Sequence, residues 1–355
     1  MNPAFDTIIV GAGLAGAWAA LPLSRRERVL VLEAAHPAAG ASGAAAGLVN
    51  PLRELRAKAV WRIDEALEAL HTMLEEAGAT ALFQAGGILR PTADAEQARL
   101  FRDAAQTHPH HATWLTADAA RERFPGVVTC EGALLVRRGG AIRVPEAVEA
   151  LLAAARRRGA EVRTGVRVTG WGEEADGAFV NVENDTGRLY ARRVLLAMGY
   201  GYRLHPELTA LNLHALKGQT VRVARPETLP RHSLIPLSGQ GYVVPDQETL
   251  IVGTSYEHDF ADLAPSEEQT RQILAKASHM LPILQDATVL DATAGVRVTV
   301  PGLRLPMLGP LPGRSRIWIF TGLGSKGLLM APLLARDLPA FFEKPETIPP
   351  EVRVR

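Results

Sequence analysis

Gly11, Gly13 and Gly16, with an acid at Glu33, are the residues whose spacing speaks most directly of chemistry. The first glycine permits a tight turn, the second lets backbone approach a pyrophosphate, and the third lets a helix pack close to a strand. A dinucleotide pyrophosphate then lies on a helix N-terminus, where free N–H groups and the helix dipole attract it. Glu33 lies 22 residues after Gly11, near the ~20 expected of a carboxylate that bonds ribose hydroxyls. Such glycines also occur in plain structural turns. Here they follow an apolar run, Thr7 to Val10, and a second apolar run, Val29 to Leu32, ends at the acid. That context favours dinucleotide binding. The fingerprint takes in Leu14, Ala15 and Ala34, and it does not separate NAD from FAD.

Two further loops bear on that choice. Gly40 to Gly47 (GASGAAAG) follows the second apolar run and has no bulky side chain. A flat aromatic ring pressed on backbone needs such a surface, although an ordinary Ala/Gly loop reads the same way. Gly322 to Gly327 (GLGSKG) follows the apolar run Trp318 to Phe320. It repeats the strand, glycines and helix order late in the chain, where a simple NAD fold has no need of it. N–H groups at that helix start can face flavin carbonyls, and reduced flavin is anionic near N1. The competing reading is a capped helix.

These loops need strands and helices to hold them. The first fingerprint predicts a strand–turn–helix–strand unit, with the helix over 14–24. Helices are expected over 54–77, closed by Gly78, in one or two pieces over 94–124, over 144–158 with Pro145 in the first turn, and over 266–280 with Ser266 as N-cap. A last helix runs from the Gly322 loop to Phe342. Strands are expected at 86–90, at 161–171 with a kink at Gly165, and over 177–198 as a hairpin turning at Asp185-Thr-Gly187. The segment 210–255 reads as strand-rich. The tail from Pro345 reads as loosely held.

Composition closes off other classes. A length of 355 residues allows two or three domains by the usual domain size. A 47% hydrophobic and 22% charged makeup fits a globular chain and excludes disorder. The balance of 39 basic and 38 acidic residues excludes a protein built on bulk positive charge. Cys130 is the single cysteine, so neither an internal disulfide nor a cysteine-rich metal site can form. The run Ala34 to Leu52 lacks charge but is mostly Ala and Gly and is interrupted by His36, Pro37, Ser42, Asn50 and Pro51, so no membrane span is read. Met1 to Asp6 lacks a basic stretch, so no targeting signal is read, and a cytoplasmic setting is expected.

The chain resembles the D-amino acid oxidase family of flavoproteins, which includes glycine oxidase and sarcosine oxidase. The residues that carry the resemblance are the N-terminal fingerprint with Glu33, Ala41 to Pro51, and Ala197-Met-Gly199. Lys217-Gly-Gln219, Gly241 to Pro245, Ala294 to Arg297 and Thr321 to Gly327 with Ala331-Pro332 complete the set. They span nearly the whole chain. The late loop and the early Ala-Ser-Gly are also similar to the oxidase domain of the bifunctional enzyme making 5-methylaminomethyl-2-thiouridine in tRNA.

The resemblance implies FAD contacts at Gly11, Gly13, Leu14, Ala15, Gly16, Glu33, Ala34, Ala41, Ser42, Ala46, Gly47, Leu48, Val168, Ala197, Gly199, Arg297 and the loop Gly322, Leu323, Gly324, Ser325, Lys326, Gly327. Val168 matches a position whose backbone meets the adenine. Arg297 matches the arginine that holds the substrate carboxylate, a role suited to a bidentate guanidinium. Tyr242 matches an active-site tyrosine, and Lys326 or nearby N–H groups are candidates to stabilise reduced flavin. Tyr200, Tyr202, Tyr242 and Tyr256 form a group that lines a pocket or packs a sheet. The family's Arg-Pro and Thr-Pro-Asp are here Arg297-Val298 and Thr299-Val-Pro301, which leaves the substrate open. No His or Cys lies where relatives attach flavin, so the FAD is expected to be noncovalent.

Three signals rank low. His108-Pro-His-His111 reads as a solvated loop, not a metal site. The groups Arg156 to Arg158 and Arg53, Arg56, Lys58, Arg62 read as solvated helix faces before RNA-binding surfaces. Asp259 and Asp262 read as loop carboxylates without partners.

The expectation is an α/β protein. A Rossmann-like FAD-binding domain, a mostly parallel sheet flanked by helices, is assembled from 1–80, 138–205 and 292–345. An antiparallel-sheet substrate domain takes 81–137 and 206–291, and 346–355 is tail. By resemblance the chain is an FAD-dependent amine or amino acid oxidase or dehydrogenase. It oxidises the C–N bond of a small amine bearing a carboxylate by hydride transfer to flavin N5, followed by imine hydrolysis. The electron acceptor is oxygen or a quinone, and no DNA partner or metal is expected. The rivals are removal of a carboxymethyl group from a tRNA wobble uridine, the less favoured, and a non-catalytic flavin-binding or electron-carrier protein.

Overall fold

Phe5–Val10 (β1) and Val29–Glu33 (β2) are β-branched and apolar, as strands covered on both faces must be. They pair in parallel, Thr7 with Val29 through Val10 with Leu32. The helix between them, Leu14–Leu23 (α1), is buried on almost every side, including Trp18 and Leu21. The computed structural model describes residues 4–183, 187–229, 234–302 and 304–354. Within these, Arg188–Leu196 is the central strand of the first sheet. It lies parallel to β1 on one side and parallel to Ile317–Thr321 on the other. Glu161–Thr164 extends the parallel set beyond β2, and Val168–Glu174 with Gly177–Val182 adds an antiparallel meander. Helices Val144–Arg157 and Gly327–Arg336 pack on α1, Ile63–Ala77 packs on those two, and all four share one core.

A second eight-stranded sheet is antiparallel except where Leu237 pairs in parallel with Leu89. Its longest pair is His214–Ala224 against Val289–Thr299. Because the whole of Val289–Thr299 belongs to this sheet, the domain boundary expected at residue 292 falls inside a strand. A small three-stranded sheet links Leu48–Val49, Gly140–Ile142 and Phe83–Gln84.

Several expected elements differ. The helix expected from residue 54 begins at Ile63; before it, Leu52–Arg53 and Lys58–Ala59 form a hairpin. Glu54, Ala57 and Arg62 have positive φ values, which no helix accommodates. Between the helices Ala95–Thr107 and Ala117–Arg123, Ala112–Thr116 is an edge strand. The final helix breaks at Asp337 and resumes as Leu338–Glu343. The tail is held, not loose. Ile348 and Val352 are buried, and Leu308 N–H donates to Val352 O at 2.7 Å. The hairpin turn at Asp185-Thr-Gly187 lies largely outside the described residues. Among the described residues no helix is long and apolar enough to cross a membrane.

Candidate functional site

The first fingerprint folds into a cradle. Gly11 has φ +106°, and a Cβ there would lie 2.5 Å from Ala197 O. A Cβ on Gly16 would lie 1.9 Å from Gly11 O, so turn and helix touch without side chains between them. The strand end is fixed by Gly11 N–H to Leu32 O at 2.7 Å and Ala197 N–H to Val10 O at 2.8 Å. Gly13 is the N-cap of α1 and offers no capping side chain. Glu33 Oε2 accepts from Ala12 N at 2.8 Å and Oε1 from Ala35 N at 3.0 Å, so the carboxylate hangs over the turn. Ser42 Oγ accepts from Leu14 N at 3.0 Å and closes the other side. Val166 N–H donates to Glu33 O at 2.9 Å, which sets the strand beginning at Val168 beside the end of β2. A Cβ on Gly13 would meet only Ser42 Oγ, at 3.1 Å. The donors at the helix start are thus approached without steric obstruction from backbone, and this cradle fits the pyrophosphate of FAD.

The two other glycine loops converge on this cradle. A Cβ on Gly327 would lie 3.0 Å from Leu14 Cδ1, so the late helix starts against the first. Gly324 N–H donates to Val298 O at 2.8 Å, and Leu323 bridges to Thr299. The loop Ala41 to Leu48 lies against the second sheet. A Cβ on Gly295 would come within 2.9 Å of both Ala41 Cα and Ala44 Cβ. Ala46 packs on Ala141 and Val244. The small side chains of this loop therefore let the two sheets meet.

Arg297 extends from the strand facing that meeting place. Its Nη2 donates to Ser255 O at 2.9 Å, and its guanidinium lies 4.9 Å from the Tyr256 ring centroid. The side chain crosses Gly218 on the neighbouring strand, where a Cβ would fall 1.8 Å from Nη2. Tyr242 lies over Gly253, whose added Cβ would be 2.4 Å from the phenol oxygen. Burial pushes the Tyr242 phenol up to about 12, against the opposing pull of Arg297 and a hydrogen bond with Thr254. It stays protonated, and a donor, through the ordinary pH range. Tyr256 is 64% exposed and forms an outer wall. Tyr202, in contrast, is buried in the core of the first sheet, and Tyr200 packs against it. The expected tyrosine group therefore divides, and only Tyr242 and Tyr256 face Arg297.

Lys326 is half-buried, and its Nζ donates to Arg304 O at 2.5 Å. Burial, then the nearby Arg53, holds its pKa below the usual lysine value.

Arg53 was expected on a solvated helix face, yet it stands in the site. Its Nη1 donates to Ser325 O at 2.9 Å and its Nη2 to Ser325 Oγ at 2.6 Å. Burial lowers its pKa, and Tyr256, Glu54 and Arg297 are the charges that act on it next. The positive-φ residues Glu54 and Ala57 turn the chain here, and Arg90 clamps it. Arg90 is 3% exposed, and it donates Nη1 to Leu52 O at 2.7 Å and Nη2 to Glu54 O, on either side of Arg53. Its guanidinium lies 4.6 Å from the Phe101 ring centroid, and burial lowers it to about 10. Pro51 and the charge-dense run after it were the signals that could have marked this hairpin.

The signals ranked low resolve differently from one another. No cluster of three or more His, Cys, Asp or Glu able to hold a metal occurs among the described residues. His111 is buried, not solvated, with Nε2 3.3 Å from Asp64 Oδ1. Arg157 and Arg158 donate to Ala77 O and Leu21 O and so close two helix ends. Asp262 has partners: it accepts from Ala264 N at 2.9 Å and lies 3.8 Å from Lys217 Nζ.

A first sheet with a parallel centre and antiparallel flanks, a second sheet closing over it and three converging glycine loops define a two-domain flavoprotein architecture. The chain belongs to the FAD dependent oxidoreductase family, whose profile matches residues 6–339. It is 31% identical to the "tRNA 5-methylaminomethyl-2-thiouridine biosynthesis bifunctional protein MnmC" of Polaromonas naphthalenivorans, over 98% of this chain and 58% of that protein. The chain thus spans little more than half of that relative. It is 27% identical to the glycine oxidase of Pseudomonas aeruginosa over 93% of each chain. The crystal structure of glycine oxidase from Geobacillus kaustophilus shares the fold, with a TM-score of 0.82, 24% identity and coverage of 95% and 94% of the two chains. The protein is an FAD-dependent oxidoreductase.

Proposed function

We propose that the chain oxidises the C–N bond of a small amine that bears a carboxylate, of the glycine, sarcosine or D-amino acid kind. The observation that carries this reading is the Arg297 guanidinium. It lies across Gly218, beside Tyr242 and Tyr256, with no carboxylate partner among the described residues. Nη2 is anchored on Ser255 O at 2.9 Å and on Thr254 Oγ1 at 3.5 Å, which leaves the Nε and Nη1 donors for a substrate carboxylate.

In this reading the fingerprint Gly11 to Gly16, Glu33, Ala41 to Leu48, Val168, Ala197, Gly199 and Gly322 to Gly327 hold FAD noncovalently. FAD, when bound, accepts the electron pair and hydrogen removed from the carbon beside the amine. The protein supplies position. Arg297 fixes the carboxylate, so the adjacent carbon has one orientation. The protonated Tyr242 hydroxyl donates a second hydrogen bond to the bound anion. Tyr256 covers the outer side and limits water. An amine that arrives neutral needs no protein base, and the imine product hydrolyses in water to a carbonyl compound and an amine. The first sheet with its helices is the FAD-binding unit, and the second sheet carries the substrate wall.

The test is anaerobic bleaching of the flavin by glycine, sarcosine, proline and D-amino acids. Bleaching by at least one of them is the expected outcome. A flavin that no carboxylated amine bleaches would favour the electron-carrier reading. Reoxidation of the bleached protein by oxygen or by a quinone then assigns the acceptor. Removal of a carboxymethyl group from tRNA is the same chemistry on a larger substrate. The likeness to the bifunctional tRNA protein favours it, while the engagement of Arg157 and Arg158 with helix ends removes part of the basic surface it would use.

A further inference from the structure

Arg297 accounts for one carboxylate, but a second guanidinium stands at the loop that packs on its strand: Arg53 donates to Ser325 O and Oγ, and the adjacent Gly324 N–H donates to Val298 O, next to Arg297. Arg53 lies on the hairpin of Leu52–Arg53 and Lys58–Ala59, and its electrostatic neighbours include Tyr256 and Arg297 of the second sheet. Two such cations repel one another, and each loses hydration where it is partly buried. Sites keep that arrangement where anions are to be bound.

The local charges do not cancel. Lys326, Lys58 and Arg304 add to the positive field. Glu54 is the acid that enters this group, and it pairs with Arg304 at 3.9 Å. Among the described residues no carboxylate lies within ion-pair distance of Arg53 or Arg297. The bonds to Ser325 O and Oγ use two of the five N–H groups of Arg53 and set its plane. Three donors are left. The hairpin is also immobilised at a cost: Arg90 is a buried cation whose Nε has no partner, and its two bonds hold the carbonyls flanking Arg53. A side chain merely covering the surface needs no such clamp.

We infer that Arg53 is a second anion-binding residue of this site, and that the substrate is an amine carrying two acidic groups, one held by Arg297 and the other by Arg53. This rests on the amine-oxidation reading above and narrows its substrate class to N-carboxyalkyl or otherwise diacidic amino acids.

Binding can be measured without turnover. Thiodiacetate is a diacid and (methylthio)acetate the matching monoacid, and neither has an amine to oxidise. Both are titrated into the FAD-loaded protein and followed by perturbation of flavin absorption. The wild type is expected to bind thiodiacetate about 10- to 100-fold tighter, the factor a charge-assisted contact supplies. Arg53→Met should collapse that ratio toward one. Arg53→Lys should keep part of it, since it retains charge but not the fork. Added salt should reduce the wild-type ratio. Equal wild-type affinities for the two acids overturn the inference, and so does an Arg53→Met protein in which both affinities fall by the same factor. If Arg53→Met does not retain FAD, the wild-type comparison and Arg53→Lys still decide. Diacid selectivity in a protein that neither sarcosine nor iminodiacetate bleaches would uphold Arg53 as the second anion-binding residue and sink the oxidation reading, with its amine substrate class, instead.

Discussion

The guanidinium of Arg297 crosses the neighbouring strand directly over Gly218, with room there for a hydrogen atom and nothing more. The carboxylate grip proposed for Arg297 therefore requires a glycine at position 218. Gly218→Ala should displace the Arg297 side chain. Binding of a monocarboxylate ligand to the FAD-loaded protein should weaken by roughly 100-fold, as when a charge-assisted hydrogen-bond pair is lost. Titration by flavin absorption reads this, with FAD stoichiometry as the control. Unchanged affinity would show that the guanidinium does not need its observed path.

Replacing the arginine itself separates charge from shape. Arg297→Lys should recover some of the affinity lost in Arg297→Ala, because an ammonium attracts a carboxylate but cannot fork around it. Steady-state kinetics with a bleaching substrate should show the loss mainly in KM for the lysine variant and in both parameters for alanine. Equal kinetics for all three proteins would remove Arg297 from the site.

Tyr242 gives a pH prediction with a definite sign. Its phenol is raised to about 12 by burial. The neutral form is therefore favoured in the folded protein relative to the unfolded chain, where the phenol titrates near ~10. The corresponding stability is complete below the unfolded value and is lost as pH climbs from there through about 12. Tyr242→Phe should flatten this alkaline loss. It should leave the alkaline limb of kcat/KM below that window in place, because that limb belongs to other groups. Chemical denaturation at several alkaline pH values checks the first claim.

Arg90 should matter more to the site than its distance from any ligand suggests. Arg90→Met removes the donors to Leu52 O and Glu54 O and should cost about 3–6 kcal/mol, counting two hydrogen bonds from a charged donor. Arg90→Lys should restore part of that. If Arg90 positions Arg53, the diacid-to-monoacid affinity ratio should fall in Arg90→Met and return in part with lysine. A purely structural Arg90 would lower stability and leave the ratio alone.

Glu33 accepts two backbone N–H groups above the fingerprint turn. Glu33→Gln keeps the shape but weakens both bonds and removes the charge that would face ribose hydroxyls. FAD should be lost on gel filtration from this variant more readily than from wild type. Equal retention would mean that the carboxylate serves the turn alone.

Much of this was legible in the sequence because the signals were local. Gly11, Gly13, Gly16 and Glu33 sit in consecutive elements, and strand, turn and helix follow from apolar runs and glycine positions. The hairpin before Ile63 was not legible. Leu55, Val60 and Ile63 recur at helical spacing, but Leu55 is exposed and the chain turns through positive φ at Glu54 and Ala57. What holds that shape is Arg90, more than thirty residues away, and no periodicity records such a contact. Arg53 was misplaced for the same reason. The packed tail was missed because proline and charge mark exposure, whereas two buried side chains, Ile348 and Val352, and backbone bonds to Leu308 supply its anchorage.

The order of strands in the first sheet has a consequence for synthesis on the ribosome. Arg188–Leu196 is flanked by β1 on one side, available early, and by Ile317–Thr321 on the other, which emerges in the last tenth of the chain. Until then the apolar edge of Val194 to Leu196 has no neighbour. A nascent chain of this protein must carry an open, sticky strand edge through roughly a third of its translation, and that makes it a natural client for holding chaperones.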